Sequence, residues 1–305
     1  MPRISVLMPV FNTERYLQEA LSSVSSQSFT DFELVAIDDG STDGSYGVLR
    51  DFAESEPRMR VLSRPNAGLV RTRNDLIAEA TGELIAWMDS DDISRPNRLE
   101  RLLATLDADP DVICVGSDVE RIDPDGKPLG FERYPSASAS IREQQLEGTG
   151  IRFASTMQRR SAAVAIGGFR SDFPIGEDLD FLLRLGEAGG LGNISEVLYA
   201  YRQHLQNTCT LEGQKWPQYR RLILDLAAER RNFGSDRIDN GASVTIEPSA
   251  ARENVAPRVL LNWARWAFRS RDPWRAVRYA VMAICAAPLS PGIWRSAARL
   301  LISRK

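Results

Sequence analysis

Three residue types are nearly absent from this 305-residue chain: it has one histidine, three cysteines and three lysines. Cys114, Cys209 and Cys285 are odd in number, far apart and in no metal-ligand spacing, so a disulfide framework and a cysteine zinc site are both excluded. Buried free thiols in a reducing compartment are expected instead. No stretch reaches the ~18 uninterrupted apolar residues that a membrane span needs. The opening Met1–Pro9 has too short an apolar run for a signal peptide and no cleavage site. A cytoplasmic protein is expected. No Gly-x-Gly-x-x-Gly follows the first apolar run, which removes a Rossmann dinucleotide site. Lys127, Lys215 and Lys305 are the only lysines, so arginine carries almost all positive charge, a trait we read as genome composition.

What is present is ordinary in bulk and uneven in detail. Hydrophobic residues at 43% and charged residues at 26% suit a globular chain. The net charge of −3 conceals an asymmetry: from Arg252 to Lys305 eleven basic residues stand against two acidic ones. That end is +9 and the rest is −12. An acidic body with a basic tail implies different partners for the two ends.

The first hundred residues alternate strand and helix. Ile4–Met8, Phe32–Ile37, Arg60–Ser63 and Glu83–Met88 are short apolar runs bounded by turn residues, the pattern of buried strands. Between them, Tyr16, Leu17, Ala20, Leu21 and Val24 share one helical face behind a cap at Asn12 or Thr13. Further helices are expected from about Asp43 and from Asn66-Ala67-Gly68 to Ala80. This alternation predicts an α/β fold with a mostly parallel central sheet flanked by helices. Sites on such sheets lie at the carboxyl ends of the strands. Three strand ends carry Pro9-Val10-Phe11-Asn12, Asp38-Asp39-Gly40-Ser41 and Asp89-Ser90-Asp91-Asp92, and a parallel sheet would point all three into one crevice.

Downstream, Val112–Gly116 is another strand and Asp123-Pro124-Asp125-Gly126 a hairpin turn. A second acidic cluster, Glu177-Asp178-Leu179-Asp180, opens a helix. A catalytic body is expected over 1–230, with a nucleotide-binding half at 1–116 and an acceptor half at 117–230. A linker at 231–256 leads to a basic helical appendage at 257–305, with helices at Leu260–Arg269, Pro273–Ala286 and Pro291–Ser303.

The acidic clusters each admit two readings. Asp89 and Asp91 form either a solvated turn ahead of Pro96 or a site for Mg²⁺ or Mn²⁺, which takes one or two carboxylates and completes its shell with phosphates. Their place after an all-apolar strand, beside two other polar strand ends, favours the metal. Asp39 either belongs to a turn or accepts the N–H of a uracil-type base. Arg71 and Arg73 are candidates for holding phosphate, or are helix-face charges. Glu177 and Asp178 either sit at a helix start for the sake of its dipole or include a general base for an acceptor hydroxyl. His204, the lone histidine, is a structural residue or a metal or phosphate contact.

Taken together, Ser5–Asn12, Ala36–Asp43, Asn66-Ala67-Gly68 with Thr72-Arg73-Asn74, and Met88–Asp92 resemble the family-2 glycosyltransferases of GT-A fold, in order and in spacing, over about residues 3 to 210. The resemblance implies nucleotide-sugar contacts at Pro9, Phe11, Asp39, Asn66 and Arg73, with Asp89 near the ribose and diphosphate and Asp91 on a divalent metal. It makes Asp178 the catalytic base and Glu177 an acceptor or support contact. Tyr201-Arg202-Gln203-His204 resembles the motif that gives an arginine to the diphosphate and a histidine to the metal. It also implies inversion of configuration, with a UDP-sugar as the default donor and a glycan or lipid-linked acceptor of cell-surface polysaccharide or glycolipid synthesis. Ile141–Phe173 matches only loosely, so no acceptor contact is carried over.

The tail interleaves Trp263, Trp266, Phe268, Trp274, Tyr279 and Trp294 with arginines. Such helices either lie on an anionic membrane surface at the inner face of the plasma membrane or pack on the body or on another subunit as a homo-oligomer. Nucleic acid is not expected, since the acidic body repels phosphate. Two other functions share this pattern: a nucleotidyltransferase, and a non-catalytic module that binds nucleotide-sugar or glycan.

Overall fold

The computed structural model describes residues 1–136, 138–146, 150–207, 215–244 and 255–302, and these fall into two compact units. The first comprises Met1–Val119, Arg133–Ala200 and Gln218–Ile246; the second comprises Glu120–Glu132, Tyr201–Pro217 and Glu247–Lys305.

In the first unit, β1 (Ile4–Val10), β2 (Phe32–Asp38), β3 (Met59–Ser63) and β4 (Leu84–Trp87) pair in parallel, in the order β3-β2-β1-β4. β1, β2 and β4 are buried almost throughout, as continuous apolar runs in a sheet covered on both faces must be. The coverage comes from α1 (Glu14–Ser25), α2 (Ser45–Ser55) and α3 (Leu69–Glu79). Beyond β4 the pairing becomes antiparallel through β8 (Met157–Arg159) to β6 (Val112–Ile122), and β5 (Ile93–Ser94) pairs antiparallel with β9 (Gly190–Arg202). The fold is therefore α/β with a mixed sheet, parallel in the half where alternation was legible.

Register decides where the site forms. Val10 lies opposite Asp38, and Asp38 opposite Ser63, while Leu7 lies opposite Trp87. The four parallel strands thus end at one edge, and their following loops leave from it together. Thr81-Gly82 breaks the chain before β4 because Gly82 passes within 2.7 Å of the Ser5 nitrogen, measured from where a Cβ would sit. Glu33, buried at the other edge, accepts from the Ser5 hydroxyl and from the Thr81 hydroxyl and N–H.

After α4 (Arg98–Ala108), α5 (Ser138–Gln145) and α6 (Arg160–Ala165), α7 (Glu177–Ala188) carries a buried ionic network on one side. Asp180 is fully buried and pairs with Arg184 at 2.8 Å, with Arg170 at 3.7 Å and Arg230 at 4.0 Å. Arg170 and Arg230 both reach Asp236 Oδ2, at 2.6 and 2.5 Å. That network fastens α8 (Trp216–Phe233) and the turn after it. Residues 245–254 lie outside the described residues.

The second unit is a hairpin and three helices. β6 turns at Asp123–Gly126 into β7 (Pro128–Glu132), as the Asp-Pro-Asp-Gly signal predicted. Asp123 Oδ1 accepts from the Asp125 and Lys127 N–H groups, and Gly126 takes a φ of 77°. α9 (Ala256–Arg269), α10 (Pro273–Ala286) and α11 (Pro291–Ile302) match the three expected helices closely. Asp272 caps α10 by accepting from Arg275 N at 3.0 Å, with Pro273 at the first helical position. Ala264, Ala267, Ala276, Ala280 and Ala283 are fully buried, small residues that let α9 and α10 approach closely, and Trp263 meets Tyr279 edge-on at 5.4 Å. Tyr279 donates to Asp123 Oδ2 at 2.8 Å and Arg275 to the same oxygen at 3.1 Å, which ties the hairpin to α10.

Cys114 is buried, and burial pushes its thiol up to about 12, which leaves it inert. Cys285 departs from expectation and is exposed, because its position on α10 faces outward. Cys209 lies outside the described residues.

Candidate active site

The three predicted strand-end motifs meet through hydrogen bonds between their own loops. After β1, Asn12 adopts a φ of 53°, its N–H donates to Ser41 Oγ at 3.0 Å, and its side-chain oxygen accepts from Thr42 N at 2.8 Å. Its side chain is thereby spent on the β2 loop. Neither Asn12 nor Thr13 caps α1 through its side chain, and Asp43 Oδ2 accepts from Glu14 N instead. Thr13 Oγ1 donates to Ser90 Oγ at 3.0 Å, joining the β1 loop to the acidic cluster after β4. Pro9 is half-buried and Phe11 is 48% exposed at this edge.

Asp39 ties the β2 loop to the one after β3. Its two carboxylate oxygens accept from Ala67 N at 3.0 Å and Gly68 N at 2.9 Å, while Arg64 stands 3.2 Å away. Asn66 donates back to the Asp39 carbonyl at 2.9 Å. Gly40 is required here: its φ is +74°, and a Cβ would lie 2.6 Å from Asn66 N.

Asp89-Ser90-Asp91-Asp92 is held from below. Arg98, fully buried, donates through Nη2 to the Trp87 carbonyl at 2.7 Å and to those of Ala154 and Thr156 at 3.3 Å. Burial lowers its pKa to about 10, with Tyr199, Asp89 and Asp92 opposing. Tyr199 Oη accepts from Asp89 N at 3.1 Å, and the Arg98 guanidinium lies 4.9 Å from the Tyr199 ring centroid. Asp92, fully buried beside these two, belongs to the scaffold. Asp89 and Asp91 remain half-buried. Burial pushes the Asp89 carboxyl up to about 6; Arg73 opposes this, and the charges of Asp91 and Asp178 add to it.

Three consecutive residues of α3 connect this loop to the second acidic cluster. Thr72 donates to the Gly68 carbonyl and accepts from Arg64. Asn74 exchanges a pair of hydrogen bonds with the backbone of Phe169, at 2.9 and 2.8 Å. Arg73, between them, sits 4.6 Å from the Phe153 ring centroid, 5.4 Å from Phe169 and 6.0 Å from Trp87. From that aromatic box its Nη1 donates to Glu177 Oε1 at 2.6 Å, and its Nη2 comes within 3.9 Å of Asp89 Oδ1. Glu177 is buried, which pushes its carboxyl up to about 7 against the pull of Arg73. Asp178 is the more open of the two, and its Oδ1 accepts from Leu179 N in the first turn of α7. Gly176, in the left-handed region at φ 79°, turns the chain so that both carboxylates enter this corner.

Asp39, Asn66, Arg73, Asp89, Asp91, Glu177 and Asp178 all lie in the first unit. Arg202 and His204 belong to the second. There Arg202 is buried, its Nη1 3.4 and 3.3 Å from the carbonyls of Asp123 and Pro124. His204 is buried too: Nδ1 faces the Gln206 N–H at 3.3 Å and Nε2 the Asn207 amide at 3.2 Å. Arg71 pairs with Asp75 one turn on, an exposed helix-face charge. No three His, Cys, Asp or Glu side chains among the described residues gather as a metal cage. Asp89 and Asp91 alone suit a cation such as Mg²⁺ or Mn²⁺ that brings phosphate and water as its other ligands. Arg64, Arg98, Tyr199 and the aromatic box had not been singled out; Arg98 and Tyr199 come from separate elements and meet only in the fold.

A carboxylate pair after β4 and a second carboxylate pair at the start of α7 thus meet at Arg73 on an α/β sheet. Residues 5–166 match the family described as Glycosyl transferase family 2, and the chain belongs to that family. It is a glycosyltransferase. It is 34% identical over 213 residues to EpsE of Bacillus subtilis (strain 168), assigned by name as a glycosyltransferase, covering 66% of this chain and 73% of that one. It is 28% identical over 246 residues to a chondroitin synthase of Pasteurella multocida (strain Pm70), covering 78% of this chain but only 25% of the synthase. Among solved structures, S. aureus TarS 1-349 in complex with UDP-GlcNAc shares the fold, with a TM-score of 0.59 at 16% identity over 98% of this chain and 89% of that one. The mannosyltransferase PcManGT from Pyrobaculum calidifontis, in complex with GDP-Man and Mn2+, has a TM-score of 0.54 at 19% identity, covering 98% and 78%.

Proposed function

We propose that this chain transfers a glycosyl unit, with inversion, from a nucleotide-diphosphate donor to a hydroxyl of a glycan or lipid-linked acceptor in cell-surface polysaccharide or glycolipid synthesis. The observation that carries the reading is Arg73: one guanidinium faces both Asp89, at the donor-side loop, and Glu177, beside Asp178. Donor and acceptor chemistry are thus built around a single fixed charge.

In this reading Pro9, Phe11, Asp39 and Asn66 line the nucleotide, with Asp39 acting chiefly by fixing the 66–68 loop. Asp91 holds Mn²⁺ or Mg²⁺, and Asp89 lies toward the ribose and diphosphate. The bound ion supplies Lewis-acid neutralisation of the departing diphosphate. Asp178 takes the proton from the acceptor hydroxyl as its oxygen attacks the anomeric carbon. Glu177 supports it by fixing the start of α7 through Arg73. Arg202 and His204 are candidate diphosphate and metal contacts.

A UDP-sugar is our choice of donor, supported by the UDP-GlcNAc complex of TarS; the GDP-Man complex of PcManGT is the competing precedent. Family membership removes nucleotidyl transfer and non-catalytic binding as leading readings. No described helix is long and apolar enough to cross a membrane. We propose that the protein works at the cytoplasmic face and that its C-terminal helices give peripheral membrane contact. A thermal-shift screen of nucleotide-sugars with and without Mn²⁺ tests the donor reading. UDP-sugars should raise the unfolding temperature more with Mn²⁺ than without, and Asp91→Ala should remove the difference. A larger, metal-independent shift with another nucleotide would overturn it.

A further inference from the structure

α10 buries Ala276, Tyr279, Ala280 and Ala283 on one side, yet its other side shows Trp274, Val277, Val281 and Met282 at 84%, 38%, 50% and 38% exposure. With Arg278 and Cys285, these positions recur at three- and four-residue spacing and make one continuous stripe. A helix apolar on both sides belongs to a covered environment, and nothing among the described residues covers this one. The loop that follows continues the pattern. Leu289 is 94% exposed and Trp294 50%, the latter's indole N–H held by the Pro288 carbonyl at 2.9 Å.

Charge identifies the cover. Residues 256–302 contain eight arginines and a single acid, Asp272. Arg265, Phe268 and Arg269 of α9 face Ser296, Arg299 and Leu300 of α11 across an open cleft of about 400 Å³. Three arginines and no carboxylate line this one cleft, an arrangement that favours an anion. The guanidinium fork matches phosphate in particular. A second copy presenting the same face would set positive against positive. Exposed tryptophan and aliphatic side chains beside arginine suit the headgroup region of an anionic bilayer.

We propose that this three-helix end docks on an anionic phospholipid surface, with lipid phosphates taken by the Arg265–Arg269–Arg299 cleft and the Trp274–Val281 stripe making the apolar contact. The proposal rests on the peripheral-membrane reading above and is independent of the sugar-transfer reading. The full chain should co-sediment with phosphatidylcholine vesicles containing one-third phosphatidylglycerol and not with phosphatidylcholine alone. Arg265→Gln and Arg299→Gln should each weaken that binding by roughly fivefold, on the order of one arginine's contribution at such a surface. Trp274→Ser with Val281→Ser should weaken it further, while leaving unfolding temperature and donor-induced shift unchanged. Failure to bind either vesicle, equal binding to both, or a stripe-dependent self-association in solution would overturn the proposal. Absence of sugar transfer by the unaltered full chain, with vesicle binding present, would refute the enzymatic reading and leave this one standing.

Discussion

Replacing Arg73 by methionine isolates the charge that links the two acidic clusters. Methionine is apolar and adaptable, so the box of Trp87, Phe153 and Phe169 tolerates it. One part of the loss is independent of pH: the hydrogen bond to Glu177 and the contact with the Phe153 ring at 4.6 Å together contribute about 1–2 kcal/mol. The other part depends on titration. Glu177 titrates near 4.5 when unfolded and at about 7 in the folded protein, mainly because it is buried. Its folded value is raised, so wild-type stability falls as pH rises from about 4.5 to about 7 and then levels off. Without Arg73 the carboxyl has lost what draws it down, and its value moves higher still. The variant therefore keeps losing stability above pH 7, and Asp89, which Arg73 also draws down, adds to the loss. Urea unfolding followed by tryptophan fluorescence should show a deficit of about 1–2 kcal/mol near pH 6 that is larger near pH 8.5. A deficit equal at both pH values would refute the claim that Arg73 favours ionisation of the buried carboxylates it faces.

Three further outcomes are expected. Asp178→Asn should keep donor binding and lower the transfer rate by about 10²–10⁴; undiminished turnover would remove Asp178 as the base. Gly40→Ala should cost about 1–3 kcal/mol in urea unfolding and weaken nucleotide binding, because φ is +74° and the new Cβ meets Asn66 N; unchanged stability would contradict the tight 39–66 contact. Tyr279→Phe should cost about 1–2 kcal/mol by leaving the buried Asp123 without its hydroxyl partner, and a silent substitution would show that Arg275 alone satisfies that carboxylate.

How much of this was legible beforehand follows from where each interaction originates. The parallel strands were readable because each is a self-contained apolar run ending in a polar loop, and the hairpin turn because Asp-Pro-Asp-Gly encodes its own geometry. Two tail helices carry proline starts in the sequence, Pro273 and Pro291, and Asp272 caps the first of them. α9 has no side-chain cap and begins at Ala256, ahead of the expected Leu260. By contrast, the antiparallel strand β8 is three residues long, Met157–Arg159, too short for any periodicity. The turn residues Asn-Phe-Gly-Ser-Asp look loose in sequence, because the closure of Arg170 and Arg230 on Asp236 is set by residues far apart in the chain. Asp91 and Asp178 could be singled out from position in the chain. Arg98 under the acidic loop and the aromatic box around Arg73 could not, since both assemble from segments far apart in sequence. Asp39 shows the converse: it was noticed for a ligand, and the structure also gives it a backbone loop to hold.

The central claim is sugar transfer from a nucleotide-diphosphate donor, and product analysis tests it most directly. With a panel of nucleotide-sugars, Mn²⁺ and glycan or lipid-linked acceptors, the account predicts release of free nucleoside diphosphate, strongest from a UDP-sugar and lost in Asp91→Asn. Release of pyrophosphate, or nucleoside diphosphate formed equally well by Asp91→Asn, would contradict it.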